Sequence, residues 1–199
     1  MSYIDCEKIT QALNLIADWH GGSIERLCAM KVLWAADRYH LRKYGRLVLG
    51  DRYCAMDCGP VPSSAKDIAK LNPRMKNARV VVSYAEKYLS VGGDKDHPLI
   101  VSKQKPDLDF FSQTDIEALK LGYSLCGNIS VGSVVELGHK FPEWKKFELQ
   151  LKENPKTSFK MDYMDFFENS NTNIDQPFSF QNEHLETSKE IFAGNQLTI

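Results

Sequence analysis

The stretch "LCAMKVLWAADRYHLRKYGRLVLGDRYCAMDCGPVPS", residues 27–63, joins an apolar helical segment to a loop that is broken by glycine and proline. Residues 27–36 are apolar on every side of a helix except at Lys31, which is typical of a helix at the centre of a core. Cations fill the last turns, and Gly45 is placed to cap the C-terminus. We therefore predict a central helix that begins near Ser23 and ends before Gly45.

The loop after this helix is predicted to be rigid. Gly50-Asp51 stands between "LVL" and "RYCAM" and fits the tight turn of a hairpin over residues 47–56. Pro60 and Pro62 then force their neighbours into extended geometry, so that "GPVPS" is a stiff strand leading into a helix that Ser63 or Ser64 caps. The structural interpretation is a strand-to-helix connector. The functional one is a pre-organised ridge that a partner can meet without ordering it.

The surrounding segments predict an α+β fold, a mostly helical single domain with a small antiparallel β-sheet and a C-terminal extension. Apolar residues at helical spacing over 4–19 predict a first helix. Residues 79–102, rich in Val, Ile and Tyr around "VGGDKD", predict two or three short strands. Ser112 and Asp115 form a capping box for a further helix. Other helices are predicted after Ser63, over 130–139 and from Pro142 to Asn154.

Two regions of the chain differ in charge. Residues 1–80 hold thirteen Lys and Arg against eight Asp and Glu, whereas residues 155–199 hold three against seven. The second region is also rich in Asn, Gln and Ser, with thinly spread apolar residues and a short predicted helix near 188–192. We therefore predict a domain over 1–153 and a partly irregular, acidic extension over 154–199.

Composition excludes several classes of protein. The chain of 199 residues is 43% hydrophobic and 26% charged, as in globular domains, and its net charge of −1 predicts no general attraction to nucleic acid or anionic membranes. No apolar run approaches the ~20 residues of a membrane span. The start "MSYIDCEKI" lacks the pattern of a signal peptide, so we expect a cytoplasmic protein.

The five cysteines are odd in number and irregular in spacing, which is typical of reduced thiols. Cys54 and Cys58 with His40 offer three ligands for zinc, but no second cysteine pair follows at the spacing of a zinc site. Neither GxGxxG nor a Gly-Lys-Ser/Thr phosphate motif occurs. The sequence therefore predicts no metal and no cofactor.

One alternative hypothesis is an enzyme. Asp37 and His40 lie three residues apart on the central helix, Tyr44 continues the same face, and His139 is a further candidate for general acid–base chemistry. The structural interpretation is that Asp37 is paired with His40, Arg46 or backbone donors of the glycine-containing loop. We favour pairing and predict no catalytic residues, since no activated nucleophile with an orienting partner is evident.

A second alternative is a DNA-binding or phage-encoded regulatory protein. The predicted helices over 113–126 and 130–139, joined by "GN", have the outline of a helix-turn-helix. The second of them offers only Ser130, Ser133 and His139-Lys140 to bases or phosphates. His139 is better explained as the residue that closes the helix, so nucleic acid is not the partner that we predict.

Two blocks of sequence resemble the Panacea domain, the SocA-like antitoxin family that also includes phage-associated proteins. The first, "KVLWAADRYHLRKYGRLVLGDRYCAMDCGPVPSSAKDI", differs mildly at Trp34, where Tyr is usual, and at Cys58, where an aromatic residue often precedes Gly-Pro-Val. The second, "SQTDIEALKLGYSLCGNISVGSVVELGHKFPEWKK", resembles the closing helices. The positions that the resemblance marks as partner-binding or motif residues are Lys31, Asp37, His40, Tyr44, Gly45, Arg46, Gly50, Asp51, Tyr53, Gly59, Pro60, Val61, Pro62, His139 and Trp144.

The resemblance covers about residues 4–152 and implies an antitoxin of a toxin–antitoxin system. Such a domain neutralises a cognate protein toxin, encoded by the adjacent gene, by direct contact and without catalysis. The parts expected to choose the partner are the loop "VGGDKDHP", residues 91–98, and the acidic tail after 155, which would suit a basic partner. The resemblance leaves open whether the toxin is occluded or is delivered to a protease or chaperone system. It also leaves open the oligomeric state.

Overall fold

A computed structural model describes residues 5–170 and 173–197. The helices are α1 (Cys6–Trp19), α2 (Arg26–Tyr44), α3 (Ser63–Ile68), α4 (Ala78–Tyr88), α5 (Gln113–Cys126), α6 (Val131–Gly138), α7 (Pro142–Lys145), α8 (Glu148–Glu153) and α9 (Asn182–Leu197). The strands are β1 (Ser23–Glu25), β2 (Tyr53–Met56), β3 (Gly59–Pro62), β4 (Leu89–Gly93), β5 (Pro98–Ser102) and β6 (Phe159–Lys160). Three 3₁₀ turns are Leu108–Phe110, Tyr163–Phe167 and Asn173–Phe178.

The central helix is confirmed as α2, although Ser23–Glu25 form a strand before it. Residues on all sides of α2 are buried, and Trp34 is wholly enclosed. The helix ends at Gly45, whose φ of 65° is left-handed and whose N–H bonds the Leu41 carbonyl at 2.9 Å. The predicted C-terminal cap is therefore present, with the conformation that glycine adopts at least cost.

Two small antiparallel sheets of three strands replace the single predicted sheet, in the orders β1-β5-β4 and β3-β2-β6. The hairpin predicted over 47–56, with its turn at Gly50-Asp51, is wrong. Strand β2 pairs with β3, and the turn joins Met56 to Gly59. The backbone N–H groups of Val48 and Leu49 donate to the Asp37 side chain, so this segment is held by α2 and not by a partner strand.

The strand predicted at the start of 79–102 is wrong, because residues 78–88 form helix α4. Val81, Ala85 and Tyr88 follow helical spacing and turn towards the core. Packing of that face overrides the strand preference of the valines. The later part is confirmed as β4 and β5, which join at "GGDKDHP".

The helices after residue 112 largely match the prediction. The Ser112–Asp115 capping box is present at the start of α5, and Ser130 caps α6. The single helix predicted from Pro142 is broken into α7 and α8 at Lys146 and Phe147. The fold is a mixed α+β single domain, mostly helical, as predicted.

The region after residue 153 packs against the rest of the molecule. Strand β6 pairs with β2, where Cys54 faces Lys160. The short helix predicted near 188–192 extends over the whole of α9, which packs on α2. The boundary predicted at residue 153, between the domain and the C-terminal extension, stays a prediction. Buried apolar side chains in this region are Met161, Phe166, Phe167, Phe178, Leu185 and Phe192.

None of the helices within residues 5–170 and 173–197 combines the length and the apolar character that crossing a bilayer requires.

Candidate functional site

Asp37 fixes the loop that follows α2. The side chain is fully buried, and its Oδ1 accepts from the N–H groups of Val48 at 2.6 Å and Leu49 at 3.2 Å. The Tyr53 hydroxyl lies 2.8 Å from Oδ2 and 3.2 Å from the Leu33 carbonyl oxygen. Burial raises the pKa of Asp37 to about 7. Of the predicted pairings, the backbone donors of the loop are the ones that the structure contains.

Asp51 fixes the start of α3 in the same way, by accepting hydrogen bonds from backbone N–H groups. Its carboxylate accepts from the backbone N–H groups of Ser64 at 3.0 Å and Ala65 at 2.8 Å, so it satisfies donors in the first turn from outside the helix. A third bond comes from the Arg52 N–H at 2.7 Å. The Asp51 carbonyl in turn accepts from the Tyr163 hydroxyl of the tail. Burial raises the pKa of Asp51 above its usual range.

Lys31 supports strand β3 from inside the core. Its ammonium is fully buried and donates to the Pro60 carbonyl at 2.7 Å. Burial lowers the pKa of Lys31 to about 7. Gly59 has a φ of 95°, and a Cβ there would lie 3.0 Å from the Lys31 nitrogen. Glycine is therefore required at residue 59 both for its backbone conformation and for the space that the ammonium occupies.

His139 and Trp144 hold the turn between β2 and β3. Their rings stack at 3.7 Å with an interplanar angle of 10°. His139 Nε2 donates to the Asp57 carbonyl at 2.9 Å, and Trp144 Nε1 donates to the Met56 carbonyl at 2.8 Å. Burial lowers the pKa of His139, which favours the neutral ring. These two residues therefore fasten the hairpin to the closing helices, and His139 is also the C-terminal cap of α6, as predicted.

His40 and Arg46 meet a carboxylate at the start of α5. Arg46 Nη1 lies 3.0 Å from Asp115 Oδ1, and Lys8 donates to the same carboxylate at 2.9 Å. His40 Nδ1 lies 2.8 Å from the Arg46 carbonyl, which only accepts, so Nδ1 carries the proton. The Thr114 hydroxyl at 3.1 Å then donates to Nε2. Burial lowers the pKa of His40, in keeping with a neutral ring.

The acid–base set proposed for an enzyme is not assembled. No hydrogen bond joins Asp37 to His40 in the described residues, because each side chain is committed to different partners. Tyr44 donates to Glu117 at 3.1 Å, and His139 lies at the hairpin turn. Within 5–170 and 173–197, no group of three or more His, Cys, Asp or Glu side chains is arranged to hold a metal ion.

A groove lies where the loop after α2 meets the tail, and we call it the motif–tail groove. Its volume is about 240 Å³. Gly45 brings the tail close, because a Cβ there would lie 2.5 Å from the Ser188 carbonyl oxygen and 2.7 Å from the Ile191 Cβ of α9. The groove is lined by Gly45, Arg46, Leu47, Gly50, Arg52, Tyr53, Lys160, Met161, Tyr163, Phe192 and Asn195.

A second, wider cavity of about 570 Å³ lies between residues 127–132 and the side of β1. His97 of the predicted partner-selecting loop borders it, and its Nδ1 lies 2.8 Å from Glu25. Ile129 is exposed at its edge. The loop 91–98 therefore reaches the start of α6.

Comparison with known families identifies the domain. The family model described as "Antitoxin SocA-like, Panacea domain" matches residues 29–145. The chain belongs to this family. No curated protein and no solved structure matches the chain.

The predicted site residues of this Panacea domain are distributed unevenly between core and surface. Of the two interpretations of "GPVP", the open ridge is wrong, because all four residues of β3 are buried behind α2 and the closing helices. The strand-to-helix connector is confirmed, since β3 leads directly into α3. Half-buried members of the predicted set are Tyr44, Arg46, Gly50 and His139. Buried members are Lys31, Asp37, His40, Gly45, Asp51, Tyr53, Gly59, Pro60, Val61, Pro62 and Trp144.

Sequence reasoning missed the two arginines by which the Panacea domain holds its tail. Arg38 donates to Glu143 at 2.6 Å and to the Glu168 carbonyl at 2.7 Å. Arg42 donates to the carbonyls of Phe178 at 2.8 Å and Phe166 at 3.1 Å, among others. Both side chains were interpreted only as cations near the helix end.

A signal for these arginines was present in the sequence. Trp34, Arg38 and Arg42 follow one another at intervals of four, so they share one face of a helix that is apolar all round. A cation on a buried face needs buried acceptors. The acceptors, however, are mainly backbone carbonyls of the tail, which carry no mark in the sequence.

The helix pair proposed for DNA binding is present in the Panacea domain as α5 and α6. Ser130 Oγ accepts from the Ser133 N–H at 3.2 Å, and the two hydroxyls lie 2.8 Å apart. Both serines are thus engaged in capping α6.

Proposed function

We propose that the protein is an antitoxin that neutralises a cognate protein toxin, encoded by the adjacent gene, by binding it directly and without catalytic turnover. The observation that carries the proposal is the match to the SocA-like antitoxin family over 29–145. The matched range includes all of the predicted motif residues and none of the tail. The antitoxin would act in the cytoplasm, by occluding the toxin.

The contacts of the motif support a binding scaffold. The side-chain polar groups of Lys31, Asp37 and Asp51 form hydrogen bonds with backbone atoms of the segments around them. Buried polar groups that bond backbone atoms in this way fix the course of a loop. The motif residues would then act by shaping the surface and by positioning the more exposed groups around it.

We assign partner selection to the loop 91–98 and to the outer face of the tail, which we treat as an extension beginning at residue 154. The loop turns at Gly93, and its carboxylate Asp94 accepts from the N–H groups of Asp96 and His97 at 2.9 and 2.8 Å. In the tail, Ile191 is 46% exposed on α9. Loops and exposed apolar side chains on a rigid body are usual contact points for a protein partner.

Expression of the neighbouring reading frame tests this proposal. That product alone should stop growth, and its co-expression with this chain should restore growth and give a complex that co-purifies at fixed stoichiometry. A matched control is Asp37→Ala, which removes the acceptor for the loop and should lower rescue together with thermal stability. Growth arrest that the wild-type chain does not relieve, or rescue without a complex, would contradict the proposal.

A further inference from the structure

The motif–tail groove has an apolar floor and a cationic rim. Leu47, Met161, Phe192 and the Tyr163 ring line the floor, and the Tyr163 and Phe192 rings contact edge to face at 5.6 Å. The Tyr163 hydroxyl is taken by the Asp51 carbonyl, so it does not present a free polar group to the groove. A ligand that fits this floor has an apolar part.

The rim carries positive charge that the described residues do not neutralise. Arg46 is paired with Asp115, but neither Arg52 nor Lys160 has an ion pair within the described part of the chain. Both side chains are exposed. No Asp or Glu is among the described residues that line the groove.

Strand pairing sets these two cations beside each other. Cys54 lies directly opposite Lys160 in the β2–β6 pair. Arg52 precedes Cys54 by two residues, so it lies on the same face as Cys54 and one diagonal step from Lys160. The rim therefore presents two adjacent charges on a fixed backbone. Such an arrangement suits one or two carboxylates of a partner.

The size of the groove favours side chains over a whole small molecule. Small-molecule pockets usually enclose roughly 300–1,000 Å³, whereas this groove holds about 240 Å³. That volume accommodates an apolar side chain, with an acidic neighbour reaching the rim. Its lining also comes from both the motif and the tail, so the groove forms only when the tail is docked.

We propose that the motif–tail groove is the docking site for an acidic segment of the partner protein, one that inserts an apolar side chain over Phe192 and Tyr163 and sets its carboxylates on Arg52 and Lys160. The proposal rests on the proposed function, since it names the chemistry of the partner of an antitoxin. The tail is acidic as a whole, yet at this groove it contributes a cation.

Paired charge reversals test the proposal. Arg52→Glu/Lys160→Glu reverses the rim, and Lys105→Glu/Lys120→Glu makes the same change of net charge at exposed positions outside the groove. Both double variants should unfold at nearly the wild-type temperature, because all four side chains are exposed. With the purified product of the neighbouring frame as probe, the rim variant should lose at least tenfold in affinity and the control less than twofold. Equal losses in the two variants, or no loss in either, would overturn the proposal.

A peptide titration decides the groove independently of the toxin. The probes are the labelled peptides acetyl-Asp-Glu-Phe-Asp-Leu-Glu-amide and acetyl-Lys-Lys-Phe-Lys-Leu-Lys-amide. If the neighbouring product is not neutralised, the antitoxin function fails, but the wild-type chain should still bind the acidic peptide at least tenfold more tightly, and the rim variant should lose this preference. Equal binding of both peptides would overturn the groove proposal. Displacement of the acidic peptide by micromolar ATP or single-stranded DNA would also overturn it, in favour of a small-anion or nucleic-acid site.

Discussion

The loop over residues 45–53 and the tail after residue 153 are both held on α2 by buried polar side chains, but one side chain accepts hydrogen bonds and the others donate them. Asp37 accepts from backbone N–H groups of the loop. One residue later, Arg38 donates to a backbone carbonyl of the tail, and Arg42 donates to several more. A single helix thus supplies an acceptor for backbone N–H groups of one irregular segment and donors for backbone C=O groups of another.

The difference shows how irregular segments enter a core. A loop has no ladder to satisfy its backbone groups, and each buried group without a partner costs about 1–3 kcal/mol. A carboxylate suits a segment that presents donors, and a guanidinium suits one that presents acceptors. Burial lowers the pKa of Arg42 only to about 10, so the side chain keeps its charge at neutral pH.

Removal of the tail tests this comparison most severely. A chain ending at residue 153 leaves Arg38 and Arg42 without their tail acceptors and uncovers the aromatic side chains beneath, such as Phe141 and Trp34. We expect a loss larger than the ~5–15 kcal/mol that stabilises most domains. Circular dichroism on heating should therefore show no cooperative transition, and addition of the separate 154–199 peptide should restore one. A truncated chain that melts like wild type would mean that the tail is a dispensable extension.

The arginine contacts are the next largest expected effect. Arg42→Met keeps the length of the side chain but leaves the carbonyls of Phe166 and Phe178 buried without a donor. We expect a loss of about 3–5 kcal/mol in the free energy of unfolding, measured by urea denaturation. Arg42→Lys is the matched control, since it keeps the charge and one donor group and should lose less. A loss below about 1 kcal/mol for Arg42→Met would place the stability of the tail in its aromatic contacts instead.

The same comparison separates what the sequence could predict from what it could not. Local patterns determined α2, the Gly45 cap and the Ser112–Asp115 capping box, because each depends on residues close in the chain. The hairpin turn was misplaced because Val48 and Leu49 bond a side chain eleven or twelve residues earlier. No short-range pattern encodes that contact.

The candidate site was less predictable than the fold. The motif residues were found by resemblance, but their burial was not foreseen, since glycine and proline are as compatible with a surface ridge as with a buried strand. The groove was missed altogether. Its two cations, Arg52 and Lys160, are 108 positions apart and meet only through the β2–β6 pair.

The substitution Asp37→Asn tests how α2 holds the loop, because the stability that Asp37 contributes should depend on pH. Burial raises the pKa of the Asp37 carboxyl to about 7 in the folded state, whereas the same carboxyl has a pKa of about 3.9 in the unfolded chain. Because the folded pKa is raised, the contribution of Asp37 to stability is full below about pH 4 and is lost as pH rises through 7. Between pH 4.5 and 7.5, the free energy of unfolding of the wild type should therefore fall by about 2–4 kcal/mol relative to that of the variant.

Urea denaturation at several pH values measures this difference. Asparagine can accept from Val48 and Leu49 through its oxygen and donate to the Tyr53 hydroxyl through its nitrogen, as a protonated carboxyl does. The control Asp51→Asn alters a carboxylate that bonds the start of α3 instead. A difference between wild type and Asp37→Asn that does not change with pH would mean that Asp37 is ionised in the fold throughout.

The smallest effect is expected on the exposed face of α2, where Lys43 pairs with Glu117 at 2.6 Å. Hydrogen bonds from Lys43 and Tyr39 lower the pKa of Glu117 to about 2, but its side chain is 46% exposed and water screens the charge. Glu117→Gln should therefore cost no more than ~1 kcal/mol above pH 5, and less in high salt. Because the folded pKa is depressed, this cost should vanish as pH falls from about 4.3 through 2. A cost near that of Arg42→Met would show that ion pairing on α2, and not the bonding of buried backbone groups, holds its neighbours in place.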